Sequence, residues 1–117
     1  MMVGANSSVS DEQIPCRGVD ELDLADQPEA PVVPFAGVIQ DRLGLEIIRG
    51  CTQGCRFCQA GITYRPVRER SPDSLLALCD RSVIASGYED LSLLSLSTGD
   101  YGCIVPLMSR LMSRYAA

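Results

Sequence analysis

Beyond residue 40 the apolar positions fall into two short, nearly continuous runs and two helical stripes. Leu43 to Arg49 is rich in β-branched and apolar residues and ends at Gly50, which reads as a buried strand feeding a loop. The loop runs from Gly50 to Arg70. Ser71, Pro72 and Asp73 then give a helix start: a serine cap, proline at the first helical position and an acid near the positive end of the dipole. Leu75, Leu76, Cys79 and Val83 form one apolar face, and Gly87 is placed to end that helix. Asp90 to Ser97 is a second strand, with the unbroken apolar character of a parallel sheet covered on both faces. After the turn Thr98 to Gly102, Ile104, Leu107, Met108, Leu111, Met112 and Tyr115 mark a second helix starting near Pro106, with the methionine pair in the core. Strand, helix, strand at this spacing predicts a right-handed βαβ unit and an α/β fold.

Charge divides the chain at residue 30. Residues 1–30 hold seven acidic side chains against Arg17, a net charge of −6, and show no period. They read as a disordered acidic tail or linker. Pro28, Pro31 and Pro34 then give a stiff, extended entry into a body, 31–117, whose net charge is +1. No apolar run approaches the roughly 20 residues of a membrane span, and no secretory leader pattern opens the chain, so the expected location is cytoplasmic with no membrane partner. In that compartment six cysteines point to reduced thiols or a metal, not disulfides.

Cys51, Cys55 and Cys58 lie within eight residues of one another. A thiolate is a metal ligand, and Gly50, Gly54 and Gly61 let such a loop fold its sulfurs inward where φ must be positive. A structural zinc site closes at four ligands and usually takes two hooks, whereas this chain has one triple hook and no histidine. Cys16, Cys79 or Cys103 would have to supply a fourth ligand, although Cys79 reads as a core residue and Cys103 as structural. An iron–sulfur cluster on three thiolates keeps one iron open. All ten basic residues are arginine, and Arg42, Arg49, Arg56, Arg65, Arg68 and Arg70 surround the loop. They suit a cofactor carboxylate or nucleic-acid phosphates; the plainer alternative is a set of solvated loop arginines.

CxxxCxxC with Phe57 before the third cysteine, just after an apolar strand, resembles the radical S-adenosylmethionine superfamily. The wider stretch from Glu46 to Pro72 resembles the subgroup associated with cobalamin (B12)-binding domains and is similar to the methylthiotransferases, and the likeness runs from about Val33 to the last residue. It implies that 31–117 is a truncated radical SAM core, the first two βα units of a partial (β/α) TIM-type barrel. Cys51, Cys55 and Cys58 would hold three irons of a 4Fe-4S cluster. The fourth would take S-adenosylmethionine for reductive cleavage to a 5'-deoxyadenosyl radical. Phe57 would pack near the adenine or plug the cluster from solvent. Thr98, Gly99 and Asp100 stand where the family often has Gly-Gly-Glu against the methionine amino group; one glycine is lost and the acid is shorter, and Asp100 also reads as a plain turn residue.

The implied partners are the remainder of the barrel and its attached domains, with an electron donor such as flavodoxin or ferredoxin. RNA or protein is the substrate analogy, and any cobalamin would belong to other parts of a full-length protein. No catalytic residue is expected beyond the cluster ligands, and two βα units alone are expected to be inactive. The competing reading is a small zinc-binding cysteine module acting in protein or nucleic-acid interaction.

Overall fold

The computed structural model describes residues 21–115. The sequence-predicted acidic tail therefore lies outside the described residues as far as residue 20, as does Cys16. Strand β1 (Leu43–Glu46) pairs in parallel with β4 (Leu91–Leu94), Leu43 opposite Leu91 and Glu46 opposite Leu94. The ladder continues one step at each end, where Leu43 N–H donates to Asp90 O at 2.8 Å and Ile47 N–H to Leu94 O at 3.1 Å. The connection between them is helix α2 (Pro72–Ser86), and helix α3 (Ile104–Tyr115) follows β4. The fold is thus mixed α/β around a small parallel sheet.

Alternation along β1 sends Leu43, Leu45 and Ile47 to one face, where they meet Leu75, Leu78 and Cys79 of α2 and Leu107 and Leu111 of α3. The helix ends follow from local chemistry. Ser71 Oγ accepts from Ser74 N–H at 3.3 Å, Pro72 opens the first turn, and Gly87 closes the helix at φ +72°. The buried face is centred on Leu75, Leu78, Cys79 and Ser82, with Leu76 and Val83 at its margin. Cys79 is a core residue, its thiol pushed up by burial.

Several boundaries differ from the sequence expectation. The first predicted strand divides at Ile47, and β2 (Ile48–Arg49) leaves the parallel sheet to pair antiparallel with β3 (Arg68–Glu69). A short helix, α1 (Ala60–Thr63), also interrupts the predicted loop. The second strand is confined to its first half, and α3 starts two residues before Pro106, at the carbonyl of Tyr101. Met108 and Met112 are corrected from core to surface, at 40% and 60% exposure. One residue is 100° of helix rotation, which carries both past the inward line of Leu107 and Leu111.

Within the predicted tail, residues 21–29 pack on the body. A 3-10 turn, Leu22–Leu24, buries Leu22, and Gln27 Nε2 donates to Gly44 O at 3.1 Å on the outer edge of β1. Arg70, itself buried, donates from Nη2 to Ala25 O at 3.3 Å, and Arg81 pairs with Glu29 at 2.9 Å. The turn after β4 is pinned to the same corner by Tyr101, whose hydroxyl donates to Arg70 O at 2.7 Å and whose pKa burial pushes up to about 12.

Asp23 joins this segment to α2 by accepting from Ser71 N–H at 2.9 Å, at the positive end of the helix. Burial alone would raise its pKa, but hydrogen bonds from Ser71 and Ser74 and the charge of Arg70 outweigh it and hold the carboxyl below its usual value. A depressed folded-state pKa contributes stability that is complete above the ordinary value of 3.8 and is lost as pH falls through the folded one. Asp23→Asn should therefore lower stability near neutral pH, with the gap to the parent closing in acid below 3.8. Urea titrations across that range check it; a gap independent of pH would show that the carboxylate charge is not what Asp23 contributes.

Candidate functional site

The loop leaves β2 at Gly50, where φ is +93°. A Cβ there would lie 2.7 Å from Tyr64 O, 3.1 Å from Pro66 O and 3.1 Å from Val67 Cα, so the start of the loop is pressed against its own return. Gly54 also has positive φ, at +61°, whereas Gly61 sits in α1. Gln53 N–H points at Cys51 Sγ, 3.5 Å away, and Cys58 N–H donates to Cys55 O at 3.1 Å, closing a turn across the second and third cysteines.

Cys51 and Cys58 are half-buried and converge on Gly61: a Cβ at that glycine would be 3.9 Å from Cys51 Cβ and from Cys58 Sγ. Cys55 faces solvent. All three are free thiols. Among the described residues no three His, Cys, Asp or Glu side chains are set to hold a metal ion. The donor chemistry of this loop, three free thiols within eight residues, fits an iron–sulfur cluster.

The other sequence-predicted site residues are placed as follows. Phe57 is 93% exposed. Thr98, Gly99 and Asp100 form a 3-10 turn just beyond β4, and a Cβ on Gly99 would meet no atom within 4 Å, so no close backbone approach occurs there. Asp100 reaches the cysteine loop: the Gln53 amide donates to its Oδ1 at 2.9 Å and Oδ2 at 2.8 Å, and Thr52 Oγ1 to Oδ2 at 3.4 Å. Hydrogen bonds from Gln53, then Ser97 and Thr52, hold its pKa below the usual value. Gln53 and Thr52 had no role assigned from sequence, and no local pattern links them to a residue 47 or 48 positions away.

Four of the six loop arginines brace the protein itself. Arg49 grips Glu46 with two bonds, 2.8 and 2.6 Å, Arg70 is buried, Arg65 Nε donates to Gly61 O at 3.2 Å and Arg68 Nη2 to Tyr64 O at 3.1 Å. Arg42 and Arg56 are exposed. Beside the loop, at the carboxyl ends of β1 and β4, a mainly apolar cleft of about 520 Å³ is bounded by Glu46, Ile48, Tyr64, Leu94 and Leu96, with Gln27 on one wall. Ligands of α/β sheets bind at such strand ends.

The fourth ligand required by the zinc reading is not supplied among the described residues: Cys79 is in the core and Cys103 packs against it. That reading is not favoured.

A small α/β unit that carries a three-cysteine loop on the two-residue strand following its parallel pair is the class this geometry defines. In sequence the chain is 42% identical over 87 residues to an uncharacterized protein of Methanocaldococcus jannaschii, covering 74% of this chain and 20% of that one. It is 31% identical over 101 residues to a threonylcarbamoyladenosine tRNA methylthiotransferase of Bacillus subtilis, covering 86% of this chain and 22% of the relative. A tRNA-2-methylthio-N(6)-dimethylallyladenosine synthase of Protochlamydia amoebophila matches at 33% over 58 residues, 50% of this chain and 13% of the relative. The chain thus spans about a fifth or less of the length of these curated relatives. No family model matches the chain, and no solved structure does. Methylthiotransferases are radical S-adenosylmethionine enzymes, and the similarity of this chain to them is distant and partial. No described helix is long and apolar enough to cross a membrane.

Proposed function

We propose that residues 31–117 are the cluster-bearing part of a radical S-adenosylmethionine enzyme, built as the first two βα units of a partial barrel. The observation that carries this reading is the three-cysteine loop at the carboxyl end of β1 and β2, tied to Asp100 at the carboxyl end of β4. Cys51, Cys55 and Cys58 hold a 4Fe-4S cluster, which with S-adenosylmethionine supplies reductive cleavage of the sulfonium. Asp100 offers a carboxylate to the cofactor's amino group, with Thr98 and Gly99 shaping the turn that presents it. Phe57, exposed beside Cys58, would shield the adenine or the cluster from water. The Gly50 contacts and the arginines that hold loop carbonyls keep the cysteines at the strand ends.

Further strands of the barrel add to β4, whose outer edge has no strand partner among the described residues. The rest of the protein supplies substrate choice, and a cytoplasmic electron donor such as flavodoxin or ferredoxin reduces the cluster. The two relatives named for tRNA modification make a nucleic-acid substrate the nearest analogy. Cobalamin has no support in these residues.

The test is anaerobic reconstitution of the full chain with iron and sulfide, followed by electron paramagnetic resonance of the reduced protein with and without S-adenosylmethionine. A reduced-cluster signal that shifts when the cofactor is added is the expected result. Zinc uptake in place of iron, or a signal the cofactor leaves unchanged, overturns the proposal.

A further inference from the structure

Asp100 belongs, with Asp23 and Glu69, to the acids held by neutral donors. Glu29, Glu46, Asp73 and Asp80 each pair with an arginine, whereas Asp100 enters no ion pair among the described residues. Its partners are neutral donors, and they come from two directions: Thr52 and Gln53 from the cysteine loop, Ser97 from its own turn. Neutral donors orient a carboxylate without cancelling its charge. The Gln53 amide nitrogen bridges both oxygens, a position that an ammonium group would also favour.

We infer that Gln53, assisted by Thr52, is a positioning residue that clasps the cysteine loop to Asp100 and orients that carboxylate as the receptor for the amine of a cationic ligand. The inference rests on the function proposed above for the identity of the ligand, but the clasp itself is a property of the metal-free chain. Between Cys51 and Cys58 the loop has one backbone hydrogen bond of its own, Cys58 N–H to Cys55 O, so its order depends on contacts from outside. The bonds of Gln53 and Thr52 to Asp100 tie it to the turn beyond β4.

The experiment has two arms. In the metal-free full chain, amide hydrogen exchange is measured across 51–58. Gln53→Ala and Asp100→Ala should each speed it by about five-fold, and the double variant should go no further, because both remove the same bridge. Unchanged exchange in the single variants, or additive effects in the double, overturns the clasp. In the reconstituted chain, equilibrium dialysis measures S-adenosylmethionine binding. Gln53→Ala should weaken it about five-fold only while Asp100 is present. Gln53→Lys should keep the loop protected while weakening binding at least as much, since its ammonium occupies the carboxylate. A Lys variant that binds the cofactor normally overturns the receptor role. A parent chain that takes up no iron refutes the proposed function and the amine role with it, and the exchange arm still decides the clasp.

Discussion

Gly50→Ala is expected to destabilise the protein by about 3–5 kcal/mol. Two costs combine at this position. A non-glycine residue at φ +93° is strained by about 1–3 kcal/mol, and the added methyl would sit 2.7 Å from the carbonyl oxygen of Tyr64. That oxygen belongs to the backbone, as do the neighbouring contacts at Pro66 and Val67, so no side-chain rotation can relieve the overlap. A domain of this size has a total stability of about 5–14 kcal/mol, so the loss would consume a large share of it. Gly87 isolates the first cost, because it has φ +72° with nothing within 4 Å of its Cβ position; Gly87→Ala should lose about 1 kcal/mol. Gly99→Ala, free of both, should change stability by less than about 0.5 kcal/mol. Urea titration of the three variants checks the order. A Gly50→Ala loss no larger than that of Gly87→Ala would mean that the return of the loop, 64–67, does not press on its start.

Elements specified by neighbours in sequence were legible. Ser71, Pro72 and Gly87 bound α2 because capping uses the backbone groups of the same turn, and no distant contact is needed. The parallel pair β1 and β4 was visible in its apolar runs, although its ends depend on what pairs beside it. Arg68 and Glu69 carry no strand pattern; they are extended because Ile48 and Arg49 offer a backbone edge. Residues 21–29 were hidden for a similar reason. Their acids suggest a solvated tail, yet Asp23 fits the N-terminus of α2 and Leu22 fills a buried position, and both facts belong to the surface they meet. The methionines of α3 were misplaced because a stripe of apolar residues shows how wide a face is, not which part of it a neighbouring helix covers.

The same division runs through the candidate site. Three cysteines within eight residues announce a metal loop by spacing alone, since the chemistry that would use them is contained in that stretch. The approach of Asp100 to the loop follows from two parallel strands ending side by side, which the βαβ reading anticipated. Which residues it would meet did not follow. Gln53 finds Asp100 through the register of β1 against β4 and the Gly50 turn, neither of which a sequence pattern encodes.

Cys55→Ala is expected to reduce bound iron from about four per chain to under about a tenth of that after anaerobic reconstitution. Of the three loop cysteines it is the decisive one. Cys51 and Cys58 are half-buried against Gly61, so their replacement could lose metal by disturbing the loop. Cys55 is exposed and its side chain has no hydrogen-bond partner among the described residues, so alanine there should leave the metal-free fold within about 0.5 kcal/mol of the parent. Iron lost without stability lost is the signature of a ligand. Cys79→Ala should give the reverse result, because its thiol is fully buried between α2 and the sheet: stability falls by about 1 kcal/mol while iron is retained. Cys103→Ala should also retain iron, whereas a four-thiolate zinc site would lose its metal on removal of one outlying cysteine. Iron and acid-labile sulfide per chain, measured beside the denaturation midpoints of the same preparations, separate these outcomes. Full iron content in Cys55→Ala would remove this residue from the ligand set, leaving the loop without the three thiolates that an open-cornered cluster requires.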